Sequence, residues 1–140
     1  MNIVFVEPLG ICECKFNAAV ANLKKQGHEV IFYPDRQENE DILIERAKDA
    51  DIVVTGEGRL DHQTAMGKAP VGVAKLAKKY DAKVIAFAGS VTPEAAACNQ
   101  AGIDAFFPIV RGITTLKEAM DPDCAKANMQ AAVEQVFRLL

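Results

Sequence analysis

The residues best equipped for chemistry stand together in one run, Thr55-Gly-Glu-Gly-Arg-Leu-Asp-His-Gln-Thr-Ala-Met-Gly-Lys68. Glycines directly after a strand let backbone N–H groups come close to an anion, and Arg59 and Lys68 can add charge-assisted bonds to a phosphate or carboxylate. Gly56, Glu57, Gly58, Arg59, Asp61, Thr64 and Lys68 are therefore the candidate anion or phosphate site. Glu57, Asp61 and His62 are the side chains there that could serve as acid, base or magnesium ligand, because phosphoryl transfer places its positioning groups at strand ends. The same composition also suits a mobile surface loop with glycine turns and solvated charges, and the residues alone leave both readings standing. No residue is assigned a catalytic role.

Two nucleotide-binding patterns fail against this run. Gly56-x-Gly58 opens like GxGxxG, but the third glycine falls on Asp61 and the next helix starts too late. Gly67-Lys68 ends like a P-loop, yet His62 stands where that loop needs glycine and Ala69 replaces the magnesium-binding Ser or Thr. Glu7 leaves the first strand toward the same end of the sheet, with satisfaction of the turn before Pro8 as its other role. His28, just after Gly27, suits a helix terminus. The soft ligands are Cys12, Cys14, Cys98, Cys124, His28 and His62. Cys12-x-Cys14 has no second pair at zinc spacing, so no metal site is expected, and Cys98 reads as a small buried apolar residue.

These residues need a scaffold, and the chain provides a regular one. Its 140 residues are the size of one domain, 50% hydrophobic and 25% charged, with a net charge of -3. That balance offers no basic field for nucleic acid, and no apolar run reaches the roughly 18 to 20 residues of a membrane helix. Without a signal-like start, a cytoplasmic protein is expected. Short β-branched and aromatic runs predict strands over 2–6, 29–33, 51–55, 83–88 and 105–110. Spacings of three and four predict helices over 16–25, 42–50, from Pro70, from Thr92-Pro93 with Thr92 as cap, and over 122–140 behind Asp121, with a loop at Gly112 leading into 115–120. The stretch 56–69 reads as a long polar loop. Strands alternating with helices predict a three-layer α/β/α fold with a five-stranded parallel sheet, order 2-1-3-4-5, flavodoxin-like and Rossmann-like. Ligands then collect at the carboxyl ends of the strands, at loops 7–11, 56–69 and 89–92.

Two family resemblances emerge along these segments. Thr55-Gly-Glu-Gly-Arg-Leu-Asp-x-Gln-Thr-x-x-Gly-Lys-Ala-Pro-x-Gly-Val-Ala, Ala88-Gly-Ser90, Ala-Gly-Ile-Asp-Ala-Phe-Phe-Pro-Ile at 101–109 and Glu-Gln-Val-Phe-Arg-Leu at 134–139 resemble the C-terminal segment of bacterial glycerate kinases, over about residues 50 to 140. Asn-Ile-Val-Phe-Val-Glu-Pro-Leu-Gly, Gly-His-Glu-Val-Ile-Phe-Tyr and Leu-Ile-Glu-Arg-Ala-Lys-Asp-Ala-Asp-Ile-Val-Val resemble the start of the substrate-binding domain of D-2-hydroxyacid dehydrogenases, over residues 1 to about 54. Together they imply a chimera, a single domain over 1–140 with its seam near 49–55 inside a strand both parents share. The kinase resemblance implies ATP and magnesium as cofactors, glycerate or phosphate as a small anionic ligand, and the seven residues above as site candidates. The dehydrogenase resemblance brings no nucleotide domain and no catalytic Arg, Glu and His set. The expectation is a recombined or engineered scaffold, monomer or homodimer, without a complete catalytic site and with no resident cofactor. The alternative is a glycerate kinase-like phosphotransferase or a phosphate- or carboxylate-binding remnant of one.

Overall fold

A computed structural model describes residues 1–5, 13–35 and 39–139. The expected ligand loop 7–11 with Glu7, together with Cys12 and residues 36–38, lies outside the described residues. Two compact units are distinguished, Met1–Val53 with Leu76–Lys83, and Val54–Lys75 with Val84–Leu140.

The first unit is built on aromatic contact. Strand β1 (Asn2–Phe5) pairs in parallel with β2 (Glu29–Phe32), Asn2 opposite Glu29 and Phe5 opposite Phe32. Helix α1 (Glu13–Lys25) starts three residues before Phe16, with acidic Glu13 in its first turn and Lys24 and Lys25 in its last, each sign suited to that end of the helix dipole. It stops at Gly27, whose φ of +85° is a conformation other residues rarely adopt. From α1, Phe16 meets Phe5 edge-on at 5.0 Å and stacks on Phe32 at 4.4 Å, and both Phe16 and Val20 are buried. Helix α2 (Glu40–Ala47) begins where the Asn39 side chain accepts from the Asp41 amide at 2.9 Å. Arg46 of α2 covers the Tyr33 ring at 4.3 Å and pairs with Asp35 at 2.5 Å. That stacked, bidentate use of a guanidinium ties the helix to the end of β2.

The second unit holds most of a three-stranded sheet in the order β3-β4-β5. Its strands are β3 (Ile52–Leu60), β4 (Lys83–Val91) and β5 (Ala105–Pro108), with Ile85 opposite Ala105 and Ala88 opposite Pro108 in a parallel ladder. Between them run α3 (His62–Ala65), α4 (Ala69–Ala77), a tight turn Pro93–Ala96 and α5 (Ala97–Gln100). The chain ends with α6 (Leu116–Ala119) and α7 (Pro122–Phe137). Val84 to Ala88 are all buried, as are Leu60, Val71, Ala74, Ala95, Cys98 and Ile103. A continuous apolar run is what a strand covered on both faces requires. As its spacing predicts, Asp121 caps α7, accepting from the amides of Asp123 at 3.1 Å and Cys124 at 3.0 Å, with Pro122 in the first turn.

The structure differs from the sequence pattern in three places. Pairing gives two sheets where alternation predicts one. Within the first unit the Asp51 carboxylate accepts from the Asn2 backbone N–H at 2.6 Å, and Asp51 N donates to Asn2 O at 3.4 Å. Next, β3 does not stop at Thr55 but continues to Leu60, so half of the expected loop 56–69 is strand and much of the rest is helix. Glycines usually weaken a strand. Here Gly56 and Gly89 permit it, since a Cβ on Gly56 would stand 2.3 Å from the Phe87 carbonyl oxygen and one on Gly89 2.7 Å from that of Gly58. Last, Thr92 does not cap the helix after it; its hydroxyl oxygen is buried and makes no hydrogen bond of normal geometry.

The two strand glycines of β3 should therefore respond differently to a methyl group. Gly56→Ala forces backbone movement and should cost on the order of 1–3 kcal/mol in denaturant unfolding. Gly58→Ala, whose Cβ meets nothing within 4 Å, should be neutral or gain up to about 1 kcal/mol. Equal losses at the two positions would show that the approach of β3 to β4 is not the constraint.

Candidate functional site

The extended β3 carries Glu57 and Arg59 to the start of α3, where the site is assembled around a buried hydroxyl. Asp61 sits in extended conformation ahead of α3, and its carboxylate accepts from the amides of Gln63 at 3.0 Å and Thr64 at 3.2 Å. Thr64 reciprocates by accepting from the Asp61 amide at 3.3 Å, which completes a capping box. Without that box a helix of four residues has little to hold it, since helix nucleation is unfavourable. The same Thr64 hydroxyl donates to Glu57 of β3, and Thr64 is wholly buried. One threonine thus joins strand and helix through its single proton and one of its lone pairs.

Two cations gather on the outer side of Asp61. Lys68 Nζ lies 3.5 Å from its Oδ1 and Arg59 Nε 3.8 Å from its Oδ2. Both cations remain largely in water, with side chains 65% (Arg59) and 40% (Lys68) exposed. Burial raises the Asp61 carboxyl, but the Thr64 and Gln63 amides and the Lys68 ammonium outweigh it and hold the group below its ordinary value. Helix α3 packs against the turn Pro93–Ala96 and α5. This brings in Glu94, whose carboxyl is held low first by the Thr92 hydroxyl beside it, then by its own backbone amide, with Arg59 and His62 adding their charge. The Thr92 hydroxyl acts on Glu94 by proximity, without a hydrogen bond of normal geometry. Beneath the site, burial pushes the Cys98 thiol up, reinforced by the charges of Glu57 and Asp61. A thiol so raised stays protonated, which agrees with Cys98 as a buried apolar residue and leaves it no nucleophilic role.

Glu57, Arg59, Asp61, Thr64 and Lys68 thus form one connected group. Gly56 and Gly58 do not join it as a loop cradle: they lie inside β3, and the missing Cβ of Gly56 is explained by the neighbouring strand. Gly67, with φ +120°, turns the chain between α3 and α4. His62 is the exposed first residue of α3. Glu94 escaped the sequence reading, which held Thr92 only as a helix cap and the end of loop 89–92. The loop 89–92 is on the expected end of the sheet, yet no spacing singles out Glu94, which comes into place through packing of α3 on the following turn. Among the described residues no group of three or more His, Cys, Asp or Glu could hold a metal ion.

Removing the hydroxyl at Thr64 while keeping its shape leaves the Glu57 carboxylate and the Asp61 amide short of a partner. Thr64→Val should cost about 1–3 kcal/mol in urea unfolding, more than Thr114→Val on the exposed loop. A cost no larger than that of the control would remove Thr64 from the centre of the site. Acid stability follows from Asp61 and Glu94, and from Glu118 and Asp121, which backbone amides at Thr115 and Cys124 hold below their ordinary values. A carboxyl lowered by folding binds fewer protons in the native than in the unfolded state. Its contribution is complete above the unfolded value of about 4 and disappears as pH falls through the lower, native value. The urea midpoint should stay level from pH 7 to about 5 and drop below about 4, less steeply in Asp61→Asn or Asp121→Asn. A level midpoint down to about pH 2.5 would contradict this.

Comparison with known proteins places most of the sequence in a family. The glycerate kinase family profile matches residues 40–140. A glycerate kinase of Bacillus cereus is 57% identical over 87 residues, covering 62% of this chain and 22% of that protein. Those of Bacillus subtilis (strain 168) and Haemophilus influenzae are 54% and 41% identical over 74 and 98 residues, covering 53% and 70% of this chain and 19% and 25% of theirs. The chain spans about a fifth to a quarter of the length of these relatives. The dehydrogenase likeness of residues 1 to about 54 rests on sequence pattern alone. By the extent of the profile match, this chain belongs to the glycerate kinase family.

Proposed function

We propose that residues 57–68 are the anion-handling part of a glycerate kinase-type phosphotransferase. The observation that carries this reading is Asp61 poised between two solvated cations, Arg59 at 3.8 Å and Lys68 at 3.5 Å. Exposed ion pairs of this kind contribute little, so either cation can be given over to a phosphate at small cost. A phosphate offers more charge and several acceptor oxygens, and the planar guanidinium of Arg59 matches it in a way the present long contact to Asp61 does not. Lys68 is a point charge on a flexible stem, and Asp61, itself held by two backbone amides, keeps that stem near the site. ATP, when bound, supplies the phosphoryl group that glycerate's hydroxyl takes. Arg59 and Lys68 hold the negative charge of the transferring group, which is where electrostatic stabilisation contributes most.

The family match supports this phosphotransferase better than a catalytically silent scaffold. A second reading retains residues 1 to about 54 as a dehydrogenase-like half joined near 49–55. It is favoured by one observation, that the long segment of the first compact unit ends at Val53. Against it, the glycerate kinase profile already begins at residue 40, upstream of that seam. Glycerate-dependent ADP formation by the purified chain separates the two. Lys68→Ala and Arg59→Ala should each lower the rate by about ten- to a hundredfold, the loss of one bond to a charged group, with the fold intact by circular dichroism. Absence of ADP formation together with absence of phosphate binding sinks the kinase reading.

A further inference from the structure

Within the second unit a groove of about 890 Å³ opens between one face of the sheet and helices α6 and α7. That volume lies within the roughly 300–1,000 Å³ of sites that enclose a small molecule, and far exceeds what a three-carbon acid fills. Its floor is nearly bare backbone, because Gly56, Gly58 and Gly89 stand together where β3 meets β4. Gly56 and Gly89 are explained by strand approach; Gly58 is not, since a Cβ there would project into open space. The walls are apolar and deformable: Leu116, Met120 and Met129 line the groove and are 80%, 73% and 39% exposed. The one charged residue on the lining, Glu57, has its carboxylate engaged by Thr64.

These features select against the anionic ligands of the neighbouring site. A carboxylate or phosphate gains nothing from apolar walls, whereas a flat ring can lie on exposed peptide planes with thioethers at its edge. Asn128, also on the lining, accepts from Arg111 Nε at 3.2 Å through its Oδ1 and carries two N–H donors of the kind a ring nitrogen accepts. We propose that this glycine-floored groove seats a flat, uncharged heteroaromatic ring, the base of the nucleotide that donates the phosphoryl group. The proposal rests on the phosphotransferase reading and adds to it a place for the half of the donor that Arg59 and Lys68 do not handle. The lining of the groove includes Glu57 and Gly58, which directly precede Arg59 on β3.

Amide NMR on the full chain, titrated separately with adenosine, ADP and inorganic phosphate, tests it. Adenosine and ADP should shift amides at Gly58, Leu116 and Met129, and phosphate alone should shift those at 59–68 and leave the groove still. Ala125→Trp on α7, which fills the groove, and Leu116→Asp, which charges an exposed wall residue and asks nothing of the core, should each weaken adenosine at least tenfold. Groove amides unmoved by adenosine and ADP, or affinities unchanged in both variants, overturn the proposal. So does a dimer of the chain that Leu116→Asp converts to monomer, because a second copy then occupies the groove. Loss of the phosphate shifts at 59–68 with adenosine binding retained overturns instead the anion site of the kinase reading.

Discussion

How closely β3 and β4 approach one another governs the second unit. Side chains cannot be accommodated at Gly56 and Gly89, where a Cβ would meet a neighbouring carbonyl oxygen at 2.3 and 2.7 Å. Because both positions are glycine, β3 continues to Leu60 instead of leaving the sheet at Thr55. The extra residues deliver Glu57 to the buried hydroxyl of Thr64 and put Asp61 at the head of α3. A strand ending at Thr55 would leave those groups on a loop with no fixed partners.

From that constraint the polar chemistry follows in order. Thr64 spends its proton on Glu57 and its lone pair on the Asp61 amide, so strand end and helix start share one buried atom. Such a group is stable only when fully satisfied, because a buried donor or acceptor without a partner costs more than the bond contributes. Asp61 is thereby committed to the helix, which leaves its interaction with Arg59 and Lys68 long and solvated. The arrangement separates structural from exchangeable charge: the carboxylate is held by backbone amides, and the cations are free to turn to a ligand.

Glycines in this unit answer to two different physical demands. At Gly56 and Gly89 the demand comes from the backbone beside them, and at Gly67 from a turn with positive φ. Within β3 only Gly58 has open space where its Cβ would stand, and Gly58 lines the apolar groove. A glycine-rich motif read as an anion cradle therefore resolves into strand geometry, a turn and a hollow. The family resemblance that the motif carries survives this reassignment, since it depends on residue identity and not on loop form.

Much of the chain was legible from local pattern. Period and capping are local properties, so the five strands, the Asp121-capped final helix and the burial of Cys98 could be read directly, and so could the run that identifies the family. Five candidate side chains, Glu57, Arg59, Asp61, Thr64 and Lys68, fall close together because they are near in sequence. What sequence alone could not decide depends on partners far along the chain. The length of β3 is set by the backbone of β4, about thirty residues away, and the Asp51 carboxylate finds its partner in the Asn2 amide at the far end of the segment. The place of Glu94 is set by packing of α3 on a turn that no spacing rule connects to it. Local propensity acts over a few residues, whereas steric approach, burial and the satisfaction of a polar group are settled only when distant segments meet.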